Sequence, residues 1–224
     1  MESFKECSSK KIPLARSEVE KMVRYSAPLE GRRQLLRLDF NENTIGPSPK
    51  VLKAIQNITS EQISIYPEYN GLQQAIVNNL NSSGLATPLE EQQVGLFNGV
   101  DAGIHSIFYA YGDREKKLLT TNPTFGYYHS CASMQGMEVI QIPYEGSNFA
   151  YPFDQIHQSL INLKPTILII CNPNNPTGTN LSPKRIVKLA QTCPETLVVI
   201  DELYEAFLGD SILPVATLKR HRTS

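Results

Sequence analysis

Short apolar runs alternate with segments of helical periodicity over most of the chain. The apolar runs predict five strands, which begin at Val94, Lys117, Met137, Thr166 and Leu197. Between these runs, apolar residues recur every three or four positions, as at Ile104, Ile107 and Phe108, and this spacing predicts amphipathic helices. Strands that alternate with helices indicate an α/β fold with a doubly wound, mostly parallel sheet.

The amino-terminal part of the chain has a mainly helical pattern. A capping-box sequence at Ser17 predicts a short helix as far as Tyr25. Ser48, with a proline directly after it, predicts the start of a helix over Val51 to Ile58. Another amphipathic helix is predicted from Leu72, whereas Arg37 to Phe40 alternates like a strand. We therefore expect an amino-terminal helical arm in front of the sheet.

Two of the apolar runs end in polar residues that suit ligand binding. The first, Thr166 to Cys171, is followed by Asn-Pro-Asn-Asn-Pro-Thr-Gly, and the second ends at Ile200, before Asp201-Glu202-Leu203-Tyr204. Ser182 and Pro183 begin a helical pattern between them, so the segment predicts a β-α-β unit with both loops at one sheet edge. Ligands bind at that edge in open α/β sheets. The alternative is a structural turn, because Asn, Pro and Gly are common turn residues.

Composition narrows the classes of partner. The formal net charge is −1, from 21 basic and 22 acidic residues, which does not favour nucleic acid or an acidic membrane as a partner. The apolar runs are far shorter than the roughly 20 residues of a membrane span, and the first residues lack an apolar signal core. The four cysteines and four histidines show no metal-ligand spacing. We expect a cytoplasmic protein without a metal site.

The pair of motifs at Asn172 to Gly178 and Asp201 to Tyr204 resembles the fold-type I pyridoxal-phosphate aminotransferases, and within them the histidinol-phosphate aminotransferase group. The resemblance implies pyridoxal 5'-phosphate as the cofactor. Its ring nitrogen must stay protonated, and the matching acid is Asp201. Asn175 and Tyr204 match the residues that hold the phenolic oxygen. Phe125 matches the aromatic residue stacked on the ring, although an ordinary buried phenylalanine remains the alternative.

The resemblance also implies a phosphate site at the helix that follows Gly99. Backbone amides of Val100, Asp101 and Ala102 match the phosphate loop of the family, and the first amides of a helix bind anions without a side chain. Asp101 departs from the Ser or Thr of many relatives, and as an acid it suits the helix dipole instead. A strand-Gly-helix turn alone does not identify a phosphate site, because such turns are common to all α/β folds.

Three further residues are assigned by the resemblance alone. Tyr66, in a Tyr-Pro motif, matches a tyrosine that reaches the cofactor phosphate of a partner subunit, which implies a homodimer. Asn41 and Asn43 lie in an Asn-rich segment that matches a substrate-binding region of the family. The alternatives are an aromatic-proline turn for Tyr66 and an ordinary loop for the two asparagines.

The implied reaction is amino transfer between histidinol phosphate and 2-oxoglutarate in histidine biosynthesis. The implied partners are therefore a small-molecule amino donor and a 2-oxo acid. The resemblance runs from about Leu38 to Lys219 and covers the front part of the family's usual length. No Ser-x-Lys-like loop follows Tyr204, and Lys219 is too close to that motif to be the Schiff-base lysine, so no catalytic residue is assigned.

We therefore expect an amino-terminal portion of an aminotransferase. Residues 1–65 would form an arm and part of a small domain, and residues 66–224 an incomplete cofactor-binding large domain. One alternative is a truncated, catalytically inactive relative that binds the cofactor or only dimerises. The other is a fragment of a different class I/II aminotransferase or of a related decarboxylase.

Overall fold

The computed structural model describes residues 13–22, 30–69 and 71–216. Contacts between Cα atoms divide the chain into two compact units. The larger consists of Met1–Met22 with Gln74–Ser224, and the smaller is Val23–Gln73. The predicted boundary between residues 65 and 66 stays a prediction, and Lys219 lies outside the described residues.

The described residues form eight α-helices and four β-strands. In chain order the helices are α1 (Ser17–Glu20), α2 (Pro49–Gln56), α3 (Ser60–Ser64), α4 (Leu72–Asn81), α5 (Gly99–Tyr111), α6 (Tyr127–Gln135), α7 (Phe153–Leu163) and α8 (Pro183–Thr192). The strands are β1 (Lys117–Asn122), β2 (Glu138–Pro143), β3 (Ile167–Cys171) and β4 (Leu197–Asp201). From α5 onward, helices and strands alternate as the apolar pattern predicts.

The four strands form one parallel sheet in the order β2-β1-β3-β4. The chain moves outward in one direction from β1 to β2, returns to the middle at β3, and moves outward in the other direction to β4. The point where the direction reverses lies between β1 and β3. In sheets of this kind, the crevice outside the carboxyl ends of the strands at that point is where ligands bind.

Helices cover both faces of the sheet, which confirms the predicted doubly wound α/β fold. On one face, α7 and α8 pack over Leu119, Leu168 and Ile170. On the other face, α5 and α6 pack over Leu118 and Ile167. Every residue of β3 is buried, because side chains that point to either face meet a helix layer. This explains why β3 reads as an uninterrupted apolar run rather than an alternating one.

Main-chain pairing between the two middle strands stops before their carboxyl ends. Register pairing between β1 and β3 covers only Leu118 with Ile167 and Leu119 with Leu168, whereas β1 pairs with β2 over six residues. Beyond that point the buried Thr120 hydroxyl donates a hydrogen bond of 3.1 Å to the carbonyl of Ile169. A side chain therefore satisfies a backbone oxygen where the main-chain ladder stops.

Two predicted strands are wrong. Residues 94–98 and 37–40 form no strand among the described residues. A strand requires a neighbour that pairs with its backbone, and the sheet formed by the described residues ends at β2 on one side and β4 on the other. In residues 37–40, charge governs the local structure instead, because Arg32 binds both Asp39 and Glu42 and stacks on the ring of Phe40.

The helix starts match the predictions unevenly. Ser48 caps α2 by accepting a hydrogen bond from the Lys50 amide, with Pro49 at the first helical position, as predicted. Ser182 is likewise the residue before α8. Ser17 is not a cap, because α1 already includes it. The helix ends at Glu20, earlier than predicted, and residues 23–25 lie outside the described residues.

The short segment around α1 is attached to the larger unit by charged groups. Glu18 accepts a 2.8 Å hydrogen bond from the Arg114 guanidinium, and Arg16 donates a 2.6 Å bond to the carbonyl of Met134 near the end of α6. The hydrogen bond from Arg114 lowers the pKa of Glu18 to about 2. The carboxylate therefore keeps its charge, and this contact, over most of the acidic range.

Two adjacent residues of α7 test whether the buried face of this helix holds the core together. Leu160 is 0% exposed, whereas Ile161 is 47% exposed. We expect Leu160→Ala to lower the free energy of unfolding by about 2–5 kcal/mol, through lost burial and a residual cavity. Ile161→Ala is expected to change it by less than about 1 kcal/mol. Urea denaturation followed by circular dichroism measures both, and equal effects would contradict this packing.

Candidate active site

Polar loops follow three of the four strands at one edge of the sheet. Residues 123–126 follow β1, residues 172–182 follow β3, and residues 202–204 follow β4. The first two loops flank the point where the strand order reverses. Among the described residues no group of three or more His, Cys, Asp or Glu side chains has the arrangement of a metal site, and no helix is long and apolar enough to cross a membrane.

Asn174 joins the loops that follow β1 and β3. Its side chain is 3% exposed, and its amide nitrogen donates to the Pro123 carbonyl at 3.0 Å and to the Thr177 hydroxyl at 2.8 Å. Its amide oxygen accepts a 2.8 Å bond from the Thr124 hydroxyl. One asparagine therefore bridges the two loops at the place where the strands no longer pair.

Asn172 attaches the loop after β3 to the residues in front of α8. Its side chain donates to the Leu181 carbonyl at 3.1 Å and accepts from the Leu181 amide at 2.7 Å. Its own backbone amide donates to the Asp201 carbonyl at 2.8 Å, which extends the β3–β4 ladder by one bond. These bonds hold the loop at both ends and restrict the positions that Asn175 can take.

Asn175 differs from both of these neighbours. It is partly exposed, and its side-chain amide makes no hydrogen bond within the described part of the chain. Its backbone amide faces the thiol of Cys171, so the residue lies close to the carboxyl end of β3. Its side-chain donors are therefore available to a ligand in the crevice, as the predicted role requires.

Asp201 is a buried carboxylate with neutral donors. It is 5% exposed, accepts a 2.6 Å hydrogen bond from the Tyr128 hydroxyl on Oδ2, and accepts a 3.1 Å bond from the Leu203 amide on Oδ1. Within the described residues no lysine or arginine forms an ion pair with it. A buried charge usually has a charged partner, so this site favours a cationic group from a ligand.

Tyr128 was missed by the sequence reasoning. It is fully buried on α6, and burial raises the pKa of its hydroxyl, which therefore remains a hydrogen-bond donor at neutral pH. Its ring meets the Phe125 ring edge-on, with centroids 5.5 Å apart and planes at 85°. Two features of the sequence point to it. Tyr128 lies three residues after Phe125, and a buried tyrosine needs a hydrogen-bond partner for its hydroxyl.

The first turn of α5 has backbone amides to offer. The helix begins at Gly99, whose φ of +81° favours glycine, and the Asn98 side chain does not cap it. The amides of Val100 and Asp101 lie in the first turn, where the helix supplies no acceptor. In the regular pattern the amide of Ala102 bonds to the carbonyl four residues earlier, which makes it the weakest of the three predicted contacts.

Helix α5 packs against α6, the helix that carries Tyr128. Burial raises the pKa of Tyr127 in the first turn of α6. The predicted phosphate contacts of Val100, Asp101 and Ala102 stay predictions.

Tyr204 lies in the turn after β4. It directly precedes the 3-10 turn Glu205–Phe207, and its ring centroid is 6.3 Å from that of Phe207. The structure thus brings Phe125, Asn175 and Asp201 together around Tyr128 and Cys171. Tyr204 lies at the same sheet edge, and its bond to the phenolic oxygen stays a prediction.

The other three candidates lie in the smaller unit. Tyr66 is 95% exposed, so its side chain is accessible to a partner molecule. Asn43 uses its side chain within its own loop, accepting from the amides of Ile45 and Gly46 and donating to the Gly46 carbonyl. Asn41 is exposed and has a φ of +53°. Their roles toward substrate and cofactor stay predictions.

A protein-family comparison matches residues 33–223 to the model described as aminotransferase class I and II. Histidinol-phosphate aminotransferase from Staphylococcus epidermidis is 34% identical over 186 residues, which is 82% of this chain and 50% of that protein. Dihydroxyacetone phosphate transaminase from Campylobacter jejuni is 28% identical over 204 residues, 88% of this chain and 54% of that protein. The chain thus spans about half the length of the curated relatives it matches.

Solved structures share the fold. Histidinol-phosphate aminotransferase from Sinorhizobium meliloti, in complex with pyridoxal-5'-phosphate, superposes with a TM-score of 0.72 at 20% identity. The alignment covers 93% of this chain and 55% of that one. The aminotransferase architecture predicted from the two loop motifs is thereby confirmed at the level of the fold.

Adjacent asparagines give a matched test of the loop geometry. We expect Asn174→Ala to lower the free energy of unfolding by about 1–3 kcal/mol, because it removes three hydrogen bonds of a buried side chain that join two loops. Asn175→Ala removes no hydrogen bond within the described residues, so we expect a change below about 1 kcal/mol. Urea denaturation of both variants measures the difference. A larger loss for Asn175→Ala would contradict the arrangement.

Proposed function

This chain belongs to the aminotransferase class I and II family, and from that premise we propose that it provides the cofactor-binding region of a pyridoxal-phosphate-dependent aminotransferase. The observation that carries the proposal is the buried Asp201 carboxylate at the sheet edge, hydrogen-bonded only by neutral donors within the described residues. A protonated pyridine nitrogen is a cation of suitable shape for that position. Further support comes from the Sinorhizobium meliloti relative, whose structure is described as a complex with pyridoxal-5'-phosphate.

The residues present fit the rest of the cofactor. Phe125 is partly exposed beside the Asp201 cluster, as a residue that stacks on a flat ring must be. Asn175 has an uncommitted amide for the phenolic oxygen, and Tyr204 supplies the second donor in the proposal. The first amides of α5 would hold the phosphate, because they lie at the positive end of the helix.

Pyridoxal phosphate, when bound, supplies an electron sink for the electron pair released at the carbon beside the substrate's amino group. The contribution of Asp201 is to hold a proton on the ring nitrogen, since a nearby negative charge favours the protonated form. Phe125 restricts the ring to one plane. The amide of Asn175 stabilises negative charge on the phenolic oxygen and fixes the ring's rotation within that plane.

For the reaction, we propose amino transfer between histidinol phosphate and 2-oxoglutarate, as in histidine biosynthesis. Support comes from the Staphylococcus epidermidis relative, which is named for histidinol phosphate. The Campylobacter jejuni relative is named for a different phosphorylated compound, so dihydroxyacetone phosphate is the second candidate substrate. Asn41 and Asn43 would contact the substrate in this proposal.

A cytoplasmic homodimer belongs to the same proposal. Tyr66 is almost fully exposed, which suits a side chain that reaches the cofactor phosphate of a partner subunit. A tyrosine with no covering from its own chain would be stabilised by burial in such an interface.

Cofactor binding tests the proposal directly. We expect the purified chain to bind pyridoxal phosphate, measured by isothermal titration calorimetry. Asp201→Asn should weaken the affinity about ten- to hundredfold, through loss of a charged hydrogen bond. Asn175→Ala should weaken it about three- to tenfold, through loss of a neutral one.

Asp113→Asn is the control for the loss of one negative charge, because Asp113 is exposed and precedes β1, at the opposite edge of the sheet. It should leave the affinity unchanged. Absence of binding by the unmodified chain, or equal weakening by both aspartate variants, would reject the proposed cofactor site.

Amino donors distinguish the two candidate substrates. With pyridoxal phosphate bound, we expect histidinol phosphate to change the cofactor's absorbance at a lower half-saturating concentration than L-glutamate does. The physical reason is that the proposed site binds the phosphate group of histidinol phosphate as well as its amino group. The same titrations without protein are the control. A preference for L-glutamate would favour dihydroxyacetone phosphate as the substrate, because the phosphorylated compound is the amino acceptor in that reaction.

A further inference from the structure

The Tyr128 hydroxyl has one clear acceptor. It donates to Oδ2 of Asp201 at 2.6 Å, a distance typical of a hydrogen bond to a carboxylate. The thiol of Cys171 also lies beside it, but that thiol donates its own hydrogen to the Pro173 carbonyl, and burial raises its pKa. The neighbouring thiol is neutral, so the single hydroxyl proton of Tyr128 is directed to the carboxylate.

The same side chain also contacts Phe125. Tyr128 lies on α6 and is fully buried. Its ring makes an edge-to-face contact with the ring of Phe125, which is partly exposed. One fully buried residue therefore touches both the acid and the aromatic ring of the candidate site.

We propose that Tyr128 is a positioning residue, whose hydroxyl orients the Asp201 carboxylate towards the ring nitrogen of pyridoxal phosphate while its ring fixes the plane of Phe125. This inference rests on the proposed cofactor site. The Leu203 amide holds Oδ1 and the Tyr128 hydroxyl holds Oδ2, so the carboxylate plane is set by one donor on each oxygen. Each oxygen retains lone-pair capacity for a further donor from the ligand.

A purely structural role makes a different prediction. If Tyr128 only fills the core, removal of its hydroxyl would affect every ligand of the site alike, because packing does not distinguish ring nitrogen from ring carbon. If Tyr128 orients Asp201, the effect depends on two things: the ring nitrogen of the ligand and the charge of Asp201. Both can be varied separately.

Tyr128→Phe is the test variant, because it removes the donor and keeps the ring. We expect it to weaken pyridoxal phosphate binding about five- to twentyfold by calorimetry. For the 1-deaza analogue, in which carbon replaces the ring nitrogen, we expect less than about a twofold change. In the Asp201→Asn background, Tyr128→Phe should add less than about a further twofold, since the oriented charge is already gone.

Tyr151→Phe is the matched control. Tyr151 is also a buried tyrosine, and its hydroxyl has no hydrogen-bond partner among the described residues. This variant removes the same atom from the other core layer and should leave the affinity for pyridoxal phosphate within about twofold. Equal weakening by Tyr128→Phe and Tyr151→Phe, or equal weakening of pyridoxal phosphate and its 1-deaza analogue, would overturn the proposal.

A measurement without cofactor separates this inference from the proposed function. In protein labelled with ¹³C at aspartate carboxyl carbons, the Asp201 resonance is assigned by its loss in Asp201→Asn. We expect Tyr128→Phe to shift that resonance and Tyr151→Phe to leave it in place. An unmoved resonance overturns the role of Tyr128 even if the cofactor binds, whereas a moved resonance with no cofactor binding rejects only the proposed function.

Discussion

The candidate site depends on the short pairing between β1 and β3. Two register pairs join these strands, and beyond them the backbone hydrogen bonds give way to a bond from the Thr120 hydroxyl. The ladder stops where the strand order reverses, and hydrogen bonds of the Asn174 side chain join the two loops that leave these strands. The candidate site therefore lies where side chains, and not paired backbone, connect the two strands.

Beyond the end of this ladder, asparagine side chains supply several of the hydrogen bonds that hold the backbone. Asn174 connects the two loops, and Asn172 connects the second loop to the start of α8. An asparagine side chain has both a donor and an acceptor, so it can replace a missing backbone partner of either kind. The loop after β3 is consequently well anchored although it contains no regular structure. The backbone of Asn175 is therefore anchored, while its side chain makes no hydrogen bond within the described residues.

Much of this arrangement could be predicted from the sequence, because β3 is buried on both faces and both β3 and β4 read as apolar runs. The two loops with Asn175 and Asp201 were recognised for the same reason: each follows such a run. Residues 94–98 show the limit, since an apolar run specifies a strand only if another strand is available to pair with it. Tyr128 shows a second limit. Its partner Asp201 is distant in the sequence, and helical spacing alone identifies Tyr128 only as a core residue.

Neighbouring residues of the loop after β3 have opposite surroundings, and this makes the length of the loop more constrained than its composition. The Asn174 side chain is buried and hydrogen-bonded to oxygen atoms of Pro123, Thr124 and Thr177, while the side chain of Asn175 makes no hydrogen bond within the described residues. Gain of one residue between Cys171 and Asn174 would move Asn174 to the position of Asn175, and loss of one residue would move Asn175 to the position of Asn174. A substitution in the loop removes individual hydrogen bonds, but a single-residue insertion or deletion would displace all the Asn174 hydrogen bonds that join the two loops.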